Sequence, residues 1–187
     1  MSTPVRLIIL DRDGTINEDS DHYVKSSDEW IPIPGALQAI ARLNHAGYHV
    51  VIATNQSGVG RGLFDMAALN AMHDKMRRLL AAEGGRIDAI FYCSHTPEEN
   101  CVCRKPLPGL FDEIAGRYQI SLQNVPAVGD SLRDLEAAAS VGAIPVLVRT
   151  GKGKKTEAAG GLPVGTMVFD DLSGFVDEFL RYEQTEV

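Results

Sequence analysis

The chain has 187 residues, of which 44% are hydrophobic and 23% charged, and this size and composition predict a single globular domain over residues 1–187. The net charge of −7 argues against binding to nucleic acid or to an anionic membrane surface. The first apolar run ends at Asp11 and is too short for a signal peptide or a membrane-spanning helix, so we expect a cytoplasmic protein.

The predicted elements alternate between strand and helix along the chain. Runs of consecutive apolar residues indicate buried strands, and apolar residues spaced three and four apart indicate helices. In chain order we predict a strand at 5–10, a loop at 14–30, a helix at 35–46, a strand at 48–53, a helix at 65–83, a strand at 87–92, a helix at 108–118, a strand at 125–128, a helix at 132–141, a strand at 144–148, a surface loop at 151–161, a strand at 164–169 and a helix at 172–182. This alternation predicts an α/β fold with a doubly wound parallel sheet.

Polar residues follow three of the predicted strands directly. Asp11 follows the first strand, Thr54 the second and Asp130 the fourth. Helical crossovers bring the carboxyl ends of parallel strands to one edge of the sheet, which is where such folds bind ligands. We therefore expect these three side chains to converge.

Two carboxylates, Asp11 and Asp13, follow the first strand with one residue between them. They repel each other unless a cation lies between them, and Mg²⁺ is the usual hard cation for oxygen ligands. Asp11 is then placed as a nucleophile toward an anionic substrate. The alternative is an acidic surface turn after a strand. Asp130 and Asp134 favour the metal site, because they bring further carboxylates to the same edge.

Two further residues suit the binding of a phosphoryl group. The Thr54 hydroxyl can donate a hydrogen bond to a phosphoryl oxygen, helped by backbone N–H groups through Ser57. Lys105 is held in an extended segment before Pro106 and can neutralise both the phosphoryl group and Asp11. Singly, Thr54 could cap a turn and Lys105 could be a solvated charge. Together with the carboxylates they predict Mg²⁺-assisted phosphoryl transfer.

All three cysteines lie between positions 93 and 103, too close together for a disulfide framework. Cys93, His95, Cys101 and Cys103 form the pattern C-x-H-x₅-C-x-C, which supplies the four ligands of a structural zinc site. Zinc would order a loop that is poor in apolar residues. Reduced surface cysteines are the alternative, and a catalytic zinc is disfavoured because four protein ligands leave no open position.

Taken together, these residues resemble the motifs of the haloacid dehalogenase superfamily of phosphatases. The four motifs of that superfamily match residues 11–15, 54–55, 105–106 and 129–134. The resemblance implies a Rossmann-like fold, here without a large cap domain, in which Asp11 forms an aspartyl-phosphate and Asp13 is the general acid and base. It further implies a Mg²⁺ site formed by Asp11, the Asp13 backbone carbonyl and Asp130. Thr54 and Lys105 would bind the transferring phosphate. Asp134 would orient Lys105 or a metal-bound water.

Within the superfamily, the chain is similar to the small zinc-loop phosphatases that act on a heptose bisphosphate, which implies a sugar bisphosphate as its substrate. We expect the enzyme to be a monomer. Histidinol-phosphate phosphatases share the same motifs and are the alternative. The negative charge disfavours a polynucleotide 3′-phosphatase, and the intact Asp11 and Lys105 disfavour a binding protein that has lost catalysis. The expected substrate contacts are Asp19, Ser20, Asp21, His22, Asn55, Gln56, Ser57 and Arg104, the last of which suits a second phosphate.

Overall fold

The structure, a computed structural model, describes residues 5–185, in which strands and helices alternate as the sequence predicts. The strands are β1 (Leu7–Leu10), β2 (His49–Asn55), β3 (Ala89–Cys93), β4 (Pro126–Gly129), β5 (Ile144–Val148) and β6 (Met167–Phe169). They form a parallel sheet in the order β3-β2-β1-β4-β5-β6. The predicted doubly wound α/β fold is therefore confirmed.

Helices cover both faces of this sheet. They are α1 (Ala36–His45), α2 (Ser57–Gly60), α3 (Met66–Ala82), α4 (Gly109–Tyr118), α5 (Leu132–Ser140), α6 (Gly153–Ala159) and α7 (Leu172–Thr185). Alternate side chains of β1 enter two apolar cores: Ile8 and Leu10 pack in the core that includes α1, α3 and α7, whereas Leu7 and Ile9 pack in the core that includes α4 and α5. Each buried Leu or Ile contributes about 1.5–3 kcal/mol, so this run of four fixes β1 at the centre of the sheet.

The central position of β1 creates the crevice in which a site can form. Its neighbours are β2 on one side and β4 on the other, and the chain continues outward from each. Directly after β1, the backbone N–H of Asp11 donates to the carbonyl of Val128 in β4 at 2.8 Å. The predicted strand-end residues Asp11, Thr54 and Asp130 thus lie at the same edge, at the topological switch point.

Several predicted bounds differ from the structure by one to three residues, such as the start of β6 at Met167 rather than at 164, and two differences lie near the site. Strand β2 continues through Thr54 and Asn55, because these residues pair with Tyr92 and Cys93 of β3. The predicted surface loop at 151–161 is wrong, since seven of its residues form α6. The lysines and glycines of this segment give no helical pattern of apolar residues. Gly153 allows the chain to turn tightly against β5, because a Cβ there would lie 1.7 Å from the carbonyl oxygen of Val148.

The interval after β1 and the interval between β2 and β3 contain no cap domain within residues 5–185. The first is a loop that leads into α1, and the second contains α2 and α3, with Leu69, Met72 and Met76 of α3 buried in the core. In the same described part of the chain, no helix is both long and apolar enough to cross a membrane. The prediction of one domain over residues 1–187 includes terminal residues outside the described range and stays a prediction.

Candidate active site

A buried lysine joins two carboxylates at the carboxyl end of β1. Lys105 is 2% exposed, and its Nζ lies 2.9 Å from Asp11 Oδ1 and 2.7 Å from Asp134 Oδ1. The same Nζ donates to the carbonyl of Ala53 in β2 at 2.6 Å. Burial works against the charge of Lys105, but the two carboxylates outweigh it and raise its pKa. Lys105 is therefore a fixed internal cation rather than a solvated charge.

Lys105 is held in place through its own backbone by Asn55. The backbone N–H of Lys105 donates to Asn55 Oδ1 at 3.0 Å, and Asn55 Nδ2 donates to the carbonyl of Lys105 at 3.1 Å. Asn55 lies at the end of β2, so this reciprocal pair ties the segment that follows the cysteine loop to the sheet. The side chain of Asn55, expected to contact substrate, is thus engaged in positioning Lys105, although the residue also lines the cavity described below.

Asp130 follows β4 and lies against two glycines. A Cβ at Gly14 would be 2.0 Å from Asp130 Oδ2, and a Cβ at Gly151 would be 2.2 Å from the same oxygen. The backbone N–H of Lys152 donates to Asp130 Oδ2 at 2.8 Å, and the Thr156 hydroxyl donates to the Asp130 carbonyl at 2.7 Å. The turn from β5 into α6 therefore fixes Asp130, a contribution that the sequence analysis missed.

The carboxylates at this edge suit a divalent cation. Oxygens of Asp11, Asp130 and Asp134 lie within 4.8 Å of one another. Burial and the charge of Asp134 raise the pKa of Asp11 to about 7, and burial and the charge of Asp11 raise that of Asp130 to about 8. A hard cation with oxygen ligands would offset both effects, so the donor set fits Mg²⁺.

Asp134 is the carboxylate of this cluster that is already engaged by protein groups. Its Oδ1 contacts Lys105, and its Oδ2 accepts hydrogen bonds from the backbone N–H and the hydroxyl of Ser131, at 3.0 and 2.6 Å. Burial works against ionisation of Asp134, but Lys105 lowers its pKa. Asp11 and Asp130 are therefore better placed to ligate a cation. Asp134 contacts Lys105 directly, which is compatible with the first of the two roles that the resemblance implies for it.

Asp13 has a different environment from Asp11. Its carboxylate accepts hydrogen bonds from Arg12 Nη2 at 2.9 Å, Asn17 Nδ2 at 2.9 Å and Gln56 Nε2 at 2.7 Å. Burial opposes its ionisation, but Arg12 and these donors together lower its pKa. The two aspartates of the Asp-x-Asp pair thus differ electrostatically: without a metal, Asp13 is the more readily ionised carboxyl, and Asp11 needs a nearby cation to favour the ionised form that can attack phosphorus.

The end of β2 supplies further polar groups. Thr54 is buried, with 1% exposure, and its Oγ1 accepts a hydrogen bond from Gln56 Nε2 at 3.0 Å, which leaves its hydroxyl proton free to be donated into the site. Ser57 begins α2 and lies on the cavity wall together with Gln56. Because Thr54 lies inside β2, it does not cap a turn.

Most of these residues border a cavity of about 210 Å³; Thr54 is not in the lining but contacts Gln56, which is. Its lining is formed by Asp11, Asp13, Asp19, Ser20, Asp21, Tyr23, Val24, Asn55, Gln56, Ser57, Arg104, Lys105, Asp130, Arg133, Asp134 and Lys152. The expected substrate contacts lie on this wall with the exception of His22, which is exposed and outside the lining. The sequence analysis missed Arg133 and Lys152, although Arg133 lies within the fourth motif.

Two cationic side chains, Arg104 and Arg133, line the cavity. Arg104 Nη1 is buried and has no hydrogen-bond partner among the described residues. Burial, and then the neighbouring charge of Arg133, lower the pKa of Arg104. Two guanidinium groups that repel each other beside an unpartnered donor form a site that an anion would stabilise.

The cysteine loop brings its four predicted ligands together. Cys93 Sγ lies 3.5 Å from His95 Nδ1, 3.6 Å from Cys101 Sγ and 3.0 Å from Cys103 Sγ, and the four ligand atoms all lie within 4.8 Å of one another. A tetrahedral ion with Zn–S bonds of about 2.3 Å places its ligand atoms roughly 3.8 Å apart. The cluster therefore fits a closed zinc site, and the next residues along the chain are Arg104 and Lys105.

The comparisons with known proteins converge on a phosphatase family. One family model, described as polynucleotide kinase 3 phosphatase, matches residues 6–138, and another, described as HAD-hydrolase-like, matches residues 102–175. The D-glycero-beta-D-manno-heptose-1,7-bisphosphate 7-phosphatase of Bordetella bronchiseptica is 62% identical over 177 residues, which cover 95% of this chain and 99% of that protein. A protein of the same name from Pseudomonas putida is 53% identical over 176 residues, covering 94% of this chain and 100% of that protein.

A solved structure agrees with these relatives. It is the crystal structure of D,D-heptose 1,7-bisphosphate phosphatase from B. bronchiseptica, complexed with magnesium and phosphate. It matches with a TM-score of 0.94 and 61% sequence identity, covering 95% of this chain and 99% of that one. The chain therefore shares both sequence and fold with these phosphatases over nearly its whole length.

Proposed function

Because the chain belongs to the heptose-1,7-bisphosphate 7-phosphatase family of haloacid dehalogenase-like hydrolases, we propose that it hydrolyses the 7-phosphate of D-glycero-D-manno-heptose 1,7-bisphosphate with Mg²⁺ as cofactor. The observation that carries this proposal is the buried Asp11–Lys105–Asp134 contact beside Asp130, in a cavity whose lining also includes Arg104 and Arg133. Asp11, Lys105 and Asp130 suit the reacting phosphate, and the two arginines suit the phosphate that is retained.

The covalent step belongs to Asp11. Its carboxylate attacks the phosphorus, and the bond between phosphorus and the sugar oxygen breaks. Asp13, which must first take up a proton from solvent against its lowered pKa, gives that proton to the leaving oxygen. Lys105 and the Thr54 hydroxyl stabilise the negative charge of the transferring group. Mg²⁺, held by Asp11, the Asp13 backbone carbonyl and Asp130, supplies positive charge that offsets the repulsion between Asp11 and the phosphate.

In the second step Asp13 acts as a base rather than as an acid. Having lost its proton, it takes one from a water molecule, which attacks the phosphorus of the aspartyl-phosphate and releases inorganic phosphate and free Asp11. The hydrogen bonds from Gln56 and Asn17 keep the Asp13 carboxylate at the cavity wall. An aspartate at this position therefore favours hydrolysis of the intermediate.

Selectivity for a bisphosphate would follow from two groups of residues in the cavity lining. Asp19, Ser20 and Asp21 belong to the lining and offer partners for sugar hydroxyls. Arg104 Nη1 is buried and has no hydrogen-bond partner within residues 5–185, and the planar guanidinium suits a phosphate bidentately. A heptose with a phosphate at each end would place its hydroxyls and its anomeric phosphate against these groups.

The metals and setting of the enzyme are part of the same proposal. Zinc bound by Cys93, His95, Cys101 and Cys103 would be structural, because four protein ligands leave no open position. Free thiols that serve as metal ligands suit a reducing compartment, which supports a cytoplasmic enzyme. The cavity is formed within one chain, which supports a monomer. The product keeps its anomeric phosphate, as synthesis of an ADP-heptose precursor of lipopolysaccharide requires.

Comparison of substrates tests this proposal directly. Initial rates are measured with heptose 1,7-bisphosphate, histidinol phosphate, a 3′-phosphorylated oligonucleotide and an aryl phosphate. We expect the heptose bisphosphate to have the highest kcat/KM, because Arg104 and Arg133 repel the cationic tail of histidinol phosphate and the net charge of −7 repels a polynucleotide. A higher kcat/KM for either alternative would overturn the substrate assignment, and no turnover of any substrate would indicate a binding protein.

A further inference from the structure

A buried histidine on α3 contacts the arginine that lies between the two catalytic aspartates. His73 is 4% exposed and Arg12 is fully buried, with 0% exposure. Arg12 Nη1 lies 3.2 Å from His73 Nε2, although 61 residues separate the two in the sequence. A guanidinium group only donates hydrogen bonds, so His73 Nε2 accepts this one and the ring carries its proton on Nδ1.

The environment of His73 keeps its ring neutral. Burial, followed by the charges of Arg12 and Arg77, lowers the pKa of His73 to about 3. A neutral ring is the form that can accept a hydrogen bond from Arg12, so the pKa and the geometry agree. His73 thus acts as an acceptor for Arg12 throughout the pH range in which the enzyme would work.

Arg12 also donates hydrogen bonds to the carboxylate of Asp13. Its Nε lies 3.2 Å from Asp13 Oδ1, and its Nη2 lies 2.9 Å from Oδ1 and 3.2 Å from Oδ2. The guanidinium group is planar, so the His73 contact at one corner limits the rotation of the fork that holds the carboxylate. A continuous line of hydrogen bonds therefore runs from the helix to the proposed acid/base residue.

We infer that His73 is a positioning residue for proton transfer, which acts through Arg12 to hold the Asp13 carboxylate in its working orientation. This inference rests on the proposed function, in which Asp13 protonates the leaving oxygen. It differs from a purely structural role of His73 in one measurable respect: the effect of losing His73 depends on how much the leaving group needs a proton.

The experiment compares two substrates in a single turnover with enzyme in excess. The His73→Leu variant removes the acceptor and keeps an apolar side chain in the core. A sugar alkoxide needs protonation to leave, whereas p-nitrophenolate leaves without it. We expect cleavage of heptose bisphosphate to slow about tenfold, since general acids contribute about 10²–10⁴-fold and Asp13 is only displaced. Release of p-nitrophenol should stay within about twofold, and KM, measured separately in the steady state with substrate in excess, should not change.

Matched variants separate the possible causes. His73→Gln places an amide oxygen near the position of Nε2 and should restore most of the rate, and His73→Met can replace the Leu variant if that variant does not fold. Met76→Ala, at a buried residue on the same helix, controls for loss of stability and should affect both substrates alike. Equal slowing of both substrates in the His73→Leu variant would overturn the inference.

Asp13→Asn distinguishes failure of this inference from failure of the proposed function. If this variant slows the heptose substrate much more than the aryl phosphate, Asp13 is the general acid. With that result in hand, a His73→Leu variant that shows no difference between substrates refutes the role of His73 alone. If Asp13→Asn itself shows no difference between substrates, the acid role of Asp13 is wrong and the inference fails with it.

Discussion

Replacing Arg104 by alanine should damage turnover of a bisphosphate selectively. The Nη1 atom of Arg104 is buried and has no hydrogen-bond partner among the described residues, so the substitution breaks no protein hydrogen bond at that atom. It also relieves the repulsion from Arg133 that helps lower the pKa of Arg104. Loss of stability should therefore be small, and the effect should appear in catalysis.

The magnitude follows from the contact that is lost. A hydrogen bond to a charged group contributes about 1.5–3 kcal/mol, which corresponds to a decrease of roughly 10- to 150-fold in kcat/KM if the contact is kept in the transition state. The aryl phosphate has no second phosphate and should lose less than about twofold. The Arg104→Ala, Arg133→Ala double variant should show non-additive losses, because both side chains would bind the same anion.

Steady-state kinetics with both substrates provide the assay. Arg78→Ala is the matched control, because Arg78 is exposed on α3 outside the cavity lining and the variant loses the same charge. Equal loss of kcat/KM for both substrates in Arg104→Ala would refute the reasoning, since it would place Arg104 at the reacting phosphate. An unchanged rate for the bisphosphate would remove the physical support for a second phosphate site.

Three further predictions concern the metal sites. Cys101→Ser should lower the melting temperature and the zinc content measured by metal analysis, because metal binding orders the loop; a full complement of zinc and an unchanged melting temperature would contradict this. In the folded, metal-free protein the pKa values of Asp11 and Asp130 are raised to about 7 and about 8, whereas in the unfolded chain both carboxyls lose their protons near pH 4. Between these pH values the folded state binds more protons, so the free energy of unfolding falls as pH rises from about 4 to 8. Mg²⁺ should therefore raise the melting temperature more at about pH 8.5 than at about pH 6. An equal rise at both pH values would contradict this pH dependence. Gly151→Ala should weaken Mg²⁺ binding about tenfold or more in calorimetry, since its Cβ would overlap Asp130 Oδ2; Gly160→Ala, also at positive φ but with nothing within 4 Å, is the control and should bind as the parent does.

The sequence predicts the parts of the site that follow from strand order. Asp11, Thr54 and Asp130 each lie at or just after the end of a run of buried residues, so parallel pairing alone brings them to one edge. Lys105 and the cysteine loop were predicted because residue type and spacing are themselves informative for a metal site and for the segment that follows it. These features are local in the sequence.

The features that sequence reasoning missed depend on distant contacts or on the backbone. Lys152 holds Asp130 with its backbone N–H, which no side-chain pattern reveals, and Gly151 is required by a close approach to Asp130. Arg133 lies within a recognised motif, but its position beside Arg104 depends on how β4 leads into α5. His73 has the spacing of an ordinary helix residue, and only the fold places it against Arg12.

The most direct test of the central claim is the identity of the phosphorylated residue. Enzyme mixed with heptose bisphosphate and Mg²⁺ is quenched in acid during turnover, and its peptides are analysed by mass spectrometry. Phosphate should be found on Asp11, and the Asp11→Asn variant should bind zinc as the parent does while forming no phosphopeptide and releasing no phosphate. Phosphate on a different residue, or substantial turnover by the Asp11→Asn variant, would contradict covalent catalysis by Asp11.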